Sequence, residues 1–135
     1  IDGAGSRVTI QNNRITSNTA RWGAAIAHCH GLISDNVIDE NLAIQSDIST
    51  TSPEIQKTLF NQVVDPDLGG GAIYNCEGAI SKNLITRNRS AGQGGQAGIF
   101  HCSAEIKDNQ IIGNLGHGVS DCSGDIDGRG GPVVA

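Results

Sequence analysis

The feature that most constrains the fold is an internal repeat. Residues 71–88 read GAIYNCEGAISKNLITRN, residues 24–41 read AAIAHCHGLISDNVIDEN, and residues 97–114 read AGIFHCSAEIKDNQIIGN. A partial copy, VTIQNNRITSN, stands at 8–18, and another, HGVSDCSGDI, at 117–126. Aligned, they form columns. Ile26, Ile73, Ile99 and Val119 share one; Cys29, Cys76, Cys102 and Cys122 the next; then Ile10, Ile33, Ile80, Ile106 and Ile126. Asn13, Asn36, Asn83 and Asn109 follow, then Ile15, Ile38, Ile85 and Ile111, and last Asn18, Asn41, Asn88 and Asn114. Equivalent asparagines are 23, 47 and 26 residues apart, so the middle gap is two periods or one period with an insertion.

A period in the range of roughly 20–26 residues is that of a solenoid, whose coils bury their apolar side chains only against their neighbours. Leucine-rich repeats have this length but need a leucine consensus, which is absent. Here the apolar positions are single isoleucines flanked by polar residues, as expected of short strands with one inward side chain each. The asparagine columns fall at the strand ends. Asparagine tolerates left-handed turn geometry, and its amide can bond both the backbone and the next asparagine of a stack. A buried asparagine needs such partners. These points predict an all-β parallel β-helix, a solenoid of about five coils with three short strands per coil and like residues about 4.8 Å apart. Residues 1–135 are expected to form a single domain.

Composition agrees. Aromatic residues are 3% of the chain, so the core must be thin and aliphatic, and nineteen glycines with 17% charged residues argue against a helical bundle. A net charge of −5 disfavours nucleic acid and anionic membranes as partners, because both recruit basic patches. No apolar run is long enough to span a membrane as a helix. The chain has neither a signal peptide nor a methionine, which suggests a mature product or an excised piece of a longer one.

Residues 44–68 interrupt the repeat. Ser52 as cap, Pro53 at the first helical position and Glu54 in the first turn predict a short helix, with Ile55, Leu59 and Val63 on one face. It would lie on the flank of the solenoid as a flap or as the wall of a cleft. SAGQGGQ at 90–96 reads as a smaller, flexible bulge. Neither terminus reads as a cap: Val8-Thr9-Ile10 begins a coil almost at once, and PVVA closes the chain. With only Arg7 and Arg14 near one end and Asp125, Asp127 and Arg129 near the other, association of copies through the coil ends is expected.

Several columns carry candidate chemistry. The cysteines occur one per coil, which predicts a ladder of inward, mostly unpaired thiols, although neighbouring coils could bring two within bridging range. No CxxC occurs, so a zinc knuckle is unsupported. Asp35, Lys82 and Asp108 share a column and are either an acid–base–acid site or a stacked charge ladder. Glu40 and Arg87 look like the second device. Tyr74 and Phe100, in an outward column with Ala27 and Ser120, would make a small aromatic platform. Beside it run His28, Asn75, His101 and Asp121. Flat rings with hydrogen-bonding neighbours suit a sugar. His28 and His101 would be two coils, or about 9.6 Å, apart, too far to share a metal.

The pattern GGxI…I..N.I..N resembles the right-handed parallel β-helix repeats of the pectin-lyase-like superfamily, over roughly residues 1–43 and 69–131. IDGAGS at 1–6 and IDGRGG at 126–131 are similar to a phrase common in pectate lyases and polygalacturonases. The resemblance implies a right-handed solenoid, an extracellular or cell-surface setting and a polysaccharide partner. GHGVS at 116–120 resembles the histidine motif of polygalacturonases, but the aspartate pair of that family is replaced here by Gln96, Ala97 and Gly98. Glycoside hydrolysis needs two carboxylates at the scissile bond, so that activity is not expected. Pectate lyases need clustered aspartates for calcium and a basic residue to take a proton, for which the Asp35, Lys82 and Asp108 column is the candidate; no cofactor is expected, and calcium is possible but unsupported. Three readings follow: a non-catalytic, carbohydrate-facing module; a fragment of a polysaccharide lyase or glycoside hydrolase acting on uronate-rich polymers; and a purely structural solenoid assembling end to end.

Overall fold

The structure, a computed structural model, describes residues 1–20, 22–44, 70–90, 96–124 and 133–134. These residues are all-β: sixteen short strands, β1 to β16 in chain order, and no helix. The helix expected from Ser52 lies outside the described residues, as do residues 91–95 of the glycine-rich bulge and the Ile126 member of its column.

The strands stack into four parallel sheets, and successive strands of the chain visit them in turn. One sheet holds β1 (Thr9–Gln11), β5 (His30–Ser34), β9 (Glu77–Ser81) and β13 (Ser103–Lys107). The next holds β2 (Arg14–Thr16), β6 (Val37–Asp39), β10 (Leu84–Thr86), β14 (Gln110–Ile112) and β16 (Val133–Val134). A third contains β3 (Thr19–Ala20), β7 (Leu42–Ala43) and β11 (Arg89–Ser90). The fourth contains β4 (Ile26–Ala27), β8 (Ile73–Tyr74), β12 (Gln96–Phe100) and β15 (His117–Ser120). This is consistent with a β-solenoid. Among the described residues, three rungs have four strands where three were expected, and the rung of β13, β14 and β15 meets the third sheet only through the Arg89–Leu115 bridge.

The columns of the sequence are the registers of the sheets. Ile26 pairs with Ile73, Ile73 with Ile99, and Ile99 with Val119. Ile10–Ile33–Ile80–Ile106 and Ile15–Ile38–Ile85–Ile111 stack in the same way. Because β6 pairs directly with β10, the 47-residue gap is a single rung step with an insertion. The isoleucines are buried and form the core together with Cys29, Cys76 and Cys102. Each fully buried isoleucine contributes about 1.5–3 kcal/mol.

Two asparagine ladders run through this core. In one, the Nδ2 of Asn13, Asn36 and Asn83 donates to the Oδ1 of the next member at 3.2, 3.0 and 2.9 Å. Asn18, Asn41, Asn88 and Asn114 repeat the pattern at 3.0, 3.0 and 2.9 Å. Each Oδ1 also accepts the backbone N–H of the preceding asparagine. The left-handed residue at a corner is not the asparagine itself but its predecessor. Asn12, Asp35, Lys82 and Asp108 precede one ladder, and Ser17, Glu40 and Arg87 the other, with φ of +51° to +58°. His28, Asn75, His101 and Asp121 do the same before the cysteines, at +50° to +55°. The kink turns the chain outward for one residue and aims the next one in.

Glycine is required where backbones close up. A Cβ on Gly78, whose φ is +97°, would stand 2.3 Å from the Gly31 carbonyl oxygen. Between the pairs Gln96–His117 and Ile99–Val119, β12 carries one extra residue, a bulge that shifts its register.

Candidate functional site

The corner before the cysteine column gathers most of the described aromatic surface. Tyr74 is its centre. The Trp22 ring stacks on it at 5.0 Å between centroids, with 29° between planes. Phe100 lies 5.6 Å away, His28 meets the ring edge-on at 5.6 Å, and His101 stacks at 6.0 Å. Tyr74 and Trp22 are half-buried. Such ring pairs contribute about 0.5–1.5 kcal/mol beyond the area they bury.

Phe100 departs from the expected platform. It is 2% exposed, because Gly70 lies against its ring: a Cβ there would come within 2.2 Å of Phe100 Cδ1. The outer surface therefore belongs to Tyr74 and to Trp22. Trp22 was not among the expected residues, since it stands just outside the aligned copies. Strand bridging carries it in, through the Trp22–Gly70 bridge and the Gly23 N–H bond to the Gly70 carbonyl at 3.0 Å.

Both histidines carry a carboxylate partner. His28 Nδ1 is 3.2 Å from Asp2 Oδ1, and His101 Nδ1 is 2.6 Å from Asp121 Oδ2. An ionised carboxylate can only accept, so Nδ1 carries a proton and Nε2 faces away from the carboxylate. The Ala4 N–H, donated at 2.9 Å, and then the His28 ring hold the Asp2 carboxyl below its ordinary range. Asp2, like Trp22, was missed by residue reasoning. Asn75 sits exposed between the two histidine corners. A hollow of about 410 Å³ opens beside the cluster, lined by Asp2, Trp22, Ala27 and His28 among others.

The structure brings Tyr74, Phe100, His28, Asn75, His101 and Asp121 together on one side. The other candidate column behaves differently. Asp35, Lys82 and Asp108 occupy successive exposed corners, and among the described residues no ion pair joins them. Glu40 and Arg87 do pair, at 3.2 Å. Arg87 also forks onto Asp39, which is 2% exposed, with Nε to Oδ1 at 2.8 Å, while Arg14 approaches Asp39 at 3.7 Å. Asp39 raises the Arg87 pKa further above its ordinary value. This network braces neighbouring strands.

A second groove, of about 340 Å³, is lined by Gly5, Arg7, His30, Gly31, Glu77 and Gly78, with His30 and Glu77 3.7 Å apart. The four cysteines are free thiols; Cys29, Cys76 and Cys102 are buried and Cys122 half-buried. Among the described residues, no three His, Cys, Asp or Glu side chains are placed to hold a metal ion. Against known proteins, no family model, no curated protein and no solved structure matches the chain.

Proposed function

We propose that the chain is a right-handed parallel β-helix of about five coils, of the pectin-lyase-like kind, forming one domain that acts outside the cell as a non-catalytic, carbohydrate-facing module. The observation that carries the reading is the Trp22–Tyr74 ring stack flanked by the His28–Asp2 and His101–Asp121 pairs. Flat rings take the apolar face of a sugar, and the surrounding acceptors take its hydroxyls. A hydroxyl-rich neutral glycan fits this array better than a polyuronate, since Asp2, Asp121 and the net charge of −5 repel carboxylates.

The same geometry argues against hydrolysis. Asp2 pairs next to Ala27, and the column continues through Tyr74, Phe100 and Ser120 to the Asp121 corner. Four strand spacings, about 19 Å, therefore separate the backbones that carry the two carboxylates. Glycosidase carboxylates stand about 5–9.5 Å apart.

The test is a glycan array that contains neutral glycans and uronate polymers, read with and without calcium. The expected result is retention of neutral glycans by the native chain and loss of that retention in Trp22→Ala and Tyr74→Ala. No retention of any glycan by the native chain would overturn the reading.

A further inference from the structure

The cysteine column ends in a different environment from the one in which it begins. Cys29, Cys76 and Cys102 are sealed in the core, whereas Cys122 is half-buried. Inside the column each sulfur accepts the backbone N–H of the preceding rung, Cys29 N to Cys76 Sγ at 3.4 Å and Cys76 N to Cys102 Sγ at 3.3 Å. At the end of the column, Cys102 and Cys122 stand on adjacent rungs, and each thiol donates to the carbonyl two residues before it, Cys102 to Phe100 at 3.3 Å and Cys122 to Ser120 at 3.2 Å. The backbone fixes this approach, since Phe100 pairs in register with Ser120 and the Ser123 N–H bonds the Cys102 carbonyl at 3.0 Å. Adjacent parallel strands are about 4.8 Å apart, inside the Cα separation of about 4.4–6.8 Å that a disulfide spans.

We propose that Cys122 is a redox-active site, and that an oxidant of the hydroperoxide class converts Cys122 and Cys102 into a disulfide between neighbouring rungs. The Cys122 thiolate attacks one peroxide oxygen. The O–O bond breaks, an S–O bond forms, and the departing oxygen leaves as water after taking a proton. Sulfur has lost two electrons and the peroxide has gained them. The Cys102 thiol then gives up its proton and attacks the Cys122 sulfur. The S–S bond forms, the S–O bond breaks, and a second water leaves. Two thiols and one hydrogen peroxide thus become one disulfide and two waters.

The environments divide the roles. The Cys102 thiol, with its backbone N–H, brings the Cys122 pKa down to about 7, so a thiolate is available at neutral pH. The neighbouring Cys122 and Cys76 side chains, with burial, raise the Cys102 pKa well above its ordinary value and keep it protonated until it is needed. Burial pushes the Cys29 thiol up to about 11. Hydrogen bonds lower the Cys76 pKa, but the core closes over it and no oxidant reaches it. The parallel aim of the two side chains strains the crosslink, which makes it easy to reduce.

The test treats the reduced, full chain with hydrogen peroxide and reads intact mass and peptide maps. The expected product has lost two hydrogens, carries a Cys102–Cys122 crosslinked peptide, leaves Cys29 and Cys76 as thiols, and reverts with dithiothreitol. Cys102→Ser should stop at a Cys122 sulfenic acid that dimedone labels, and Cys122→Ser should yield neither product. A measurement without variants is brief iodoacetamide labelling of the native chain, which should mark Cys122 alone. Label on Cys29 or Cys76 before Cys122 would overturn the proposal. So would four intact thiols, or sulfinic acid without crosslink, after peroxide.

Discussion

Asn83 Oδ1 accepts two hydrogen bonds from Asn36 alone, one from its backbone N–H and one from its Nδ2, each at 3.0 Å. Its own Nδ2 donates to the Ile33 carbonyl and to Asn109 Oδ1, both at 2.9 Å. No group of this amide is idle, so its removal leaves the buried Asn36 backbone N–H without its acceptor and takes one hydrogen bond each from Asn36 Nδ2, the Ile33 carbonyl and Asn109 Oδ1. An orphaned buried polar group costs about 1–3 kcal/mol. Asn83→Ala is therefore expected to destabilise the chain by about 3 kcal/mol or more in urea unfolding. Gln110→Ala, at an exposed strand position, should stay within about 0.5 kcal/mol of the native chain. Equal effects would mean that the ladder adds nothing.

The corner residues predict the opposite sign. Lys82 holds φ at +55° and makes no ion pair with Asp35 or Asp108. A side chain in left-handed geometry costs about 1–2 kcal/mol, which glycine avoids. Lys82→Gly should raise the unfolding midpoint, less the extra chain entropy that glycine loses on folding. A clear drop would show that the lysine does more than turn the chain.

Asp39 is buried and Arg87 supplies its fork. Loss of Arg87 leaves the covered carboxylate with only the longer Arg14 contact. Arg87→Ala should lower stability more than Arg14→Ala, and the double change Arg87→Ala with Asp39→Asn should recover part of the loss. Thermal melts of the four chains decide it. An Arg14→Ala effect equal to that of Arg87→Ala would contradict the assignment.

Thiol chemistry has a pH signature. The Cys122 pKa is held down at about 7 in the folded chain, below its ordinary value. Its proton is therefore lost earlier than in the unfolded chain, and its alkylation rate should rise with pH and level off above about 7. In denaturant the midpoint should move up towards about 8.5. Stopped labelling at pH 5 to 10 measures both curves, and coincident midpoints would refute the shift.

Polygalacturonate should survive incubation with the chain, with or without calcium, giving neither new reducing ends nor unsaturated product. Asp2 and Asp121 lie on rungs too far apart for the paired carboxylates of hydrolysis, and no ion pair joins Asp35, Lys82 and Asp108 on their exposed corners. Turnover that vanishes in Lys82→Ala would restore the acid–base column as a catalytic site.

The columns were legible because a solenoid copies one environment again and again, so Ile73 between Ile26 and Ile99 repeats its own identity. The insertion length was ambiguous in sequence, since residue spacing does not say whether strands intervene; only the direct pairing of Leu84 with Val37 does. The left-handed position was assigned one residue too late. Asparagine is the usual sign of such a turn, but here it is used for its amide, and the kink falls on a column as varied as Asn12, Asp35, Lys82 and Asp108. Burial of Phe100 was hidden because the cause is a side chain missing from Gly70. Trp22 and Asp2 escaped because neither belongs to a repeated column; each reaches Tyr74 or His28 only through strand stacking.

The ladders also have a direction. Within each row, the side-chain oxygen of an asparagine accepts from the asparagine of the rung before it, and the Nδ2 of each of the first three members donates to the rung after it. Both rows point the same way, and the N–H to sulfur bonds of the cysteine column follow them. The amide dipoles add head to tail and polarise one another. The stack is thus a vector, with an acceptor side and a donor side. Two copies could continue each other's rows only tail to head, so a two-fold symmetric contact through the rungs is electrostatically frustrated.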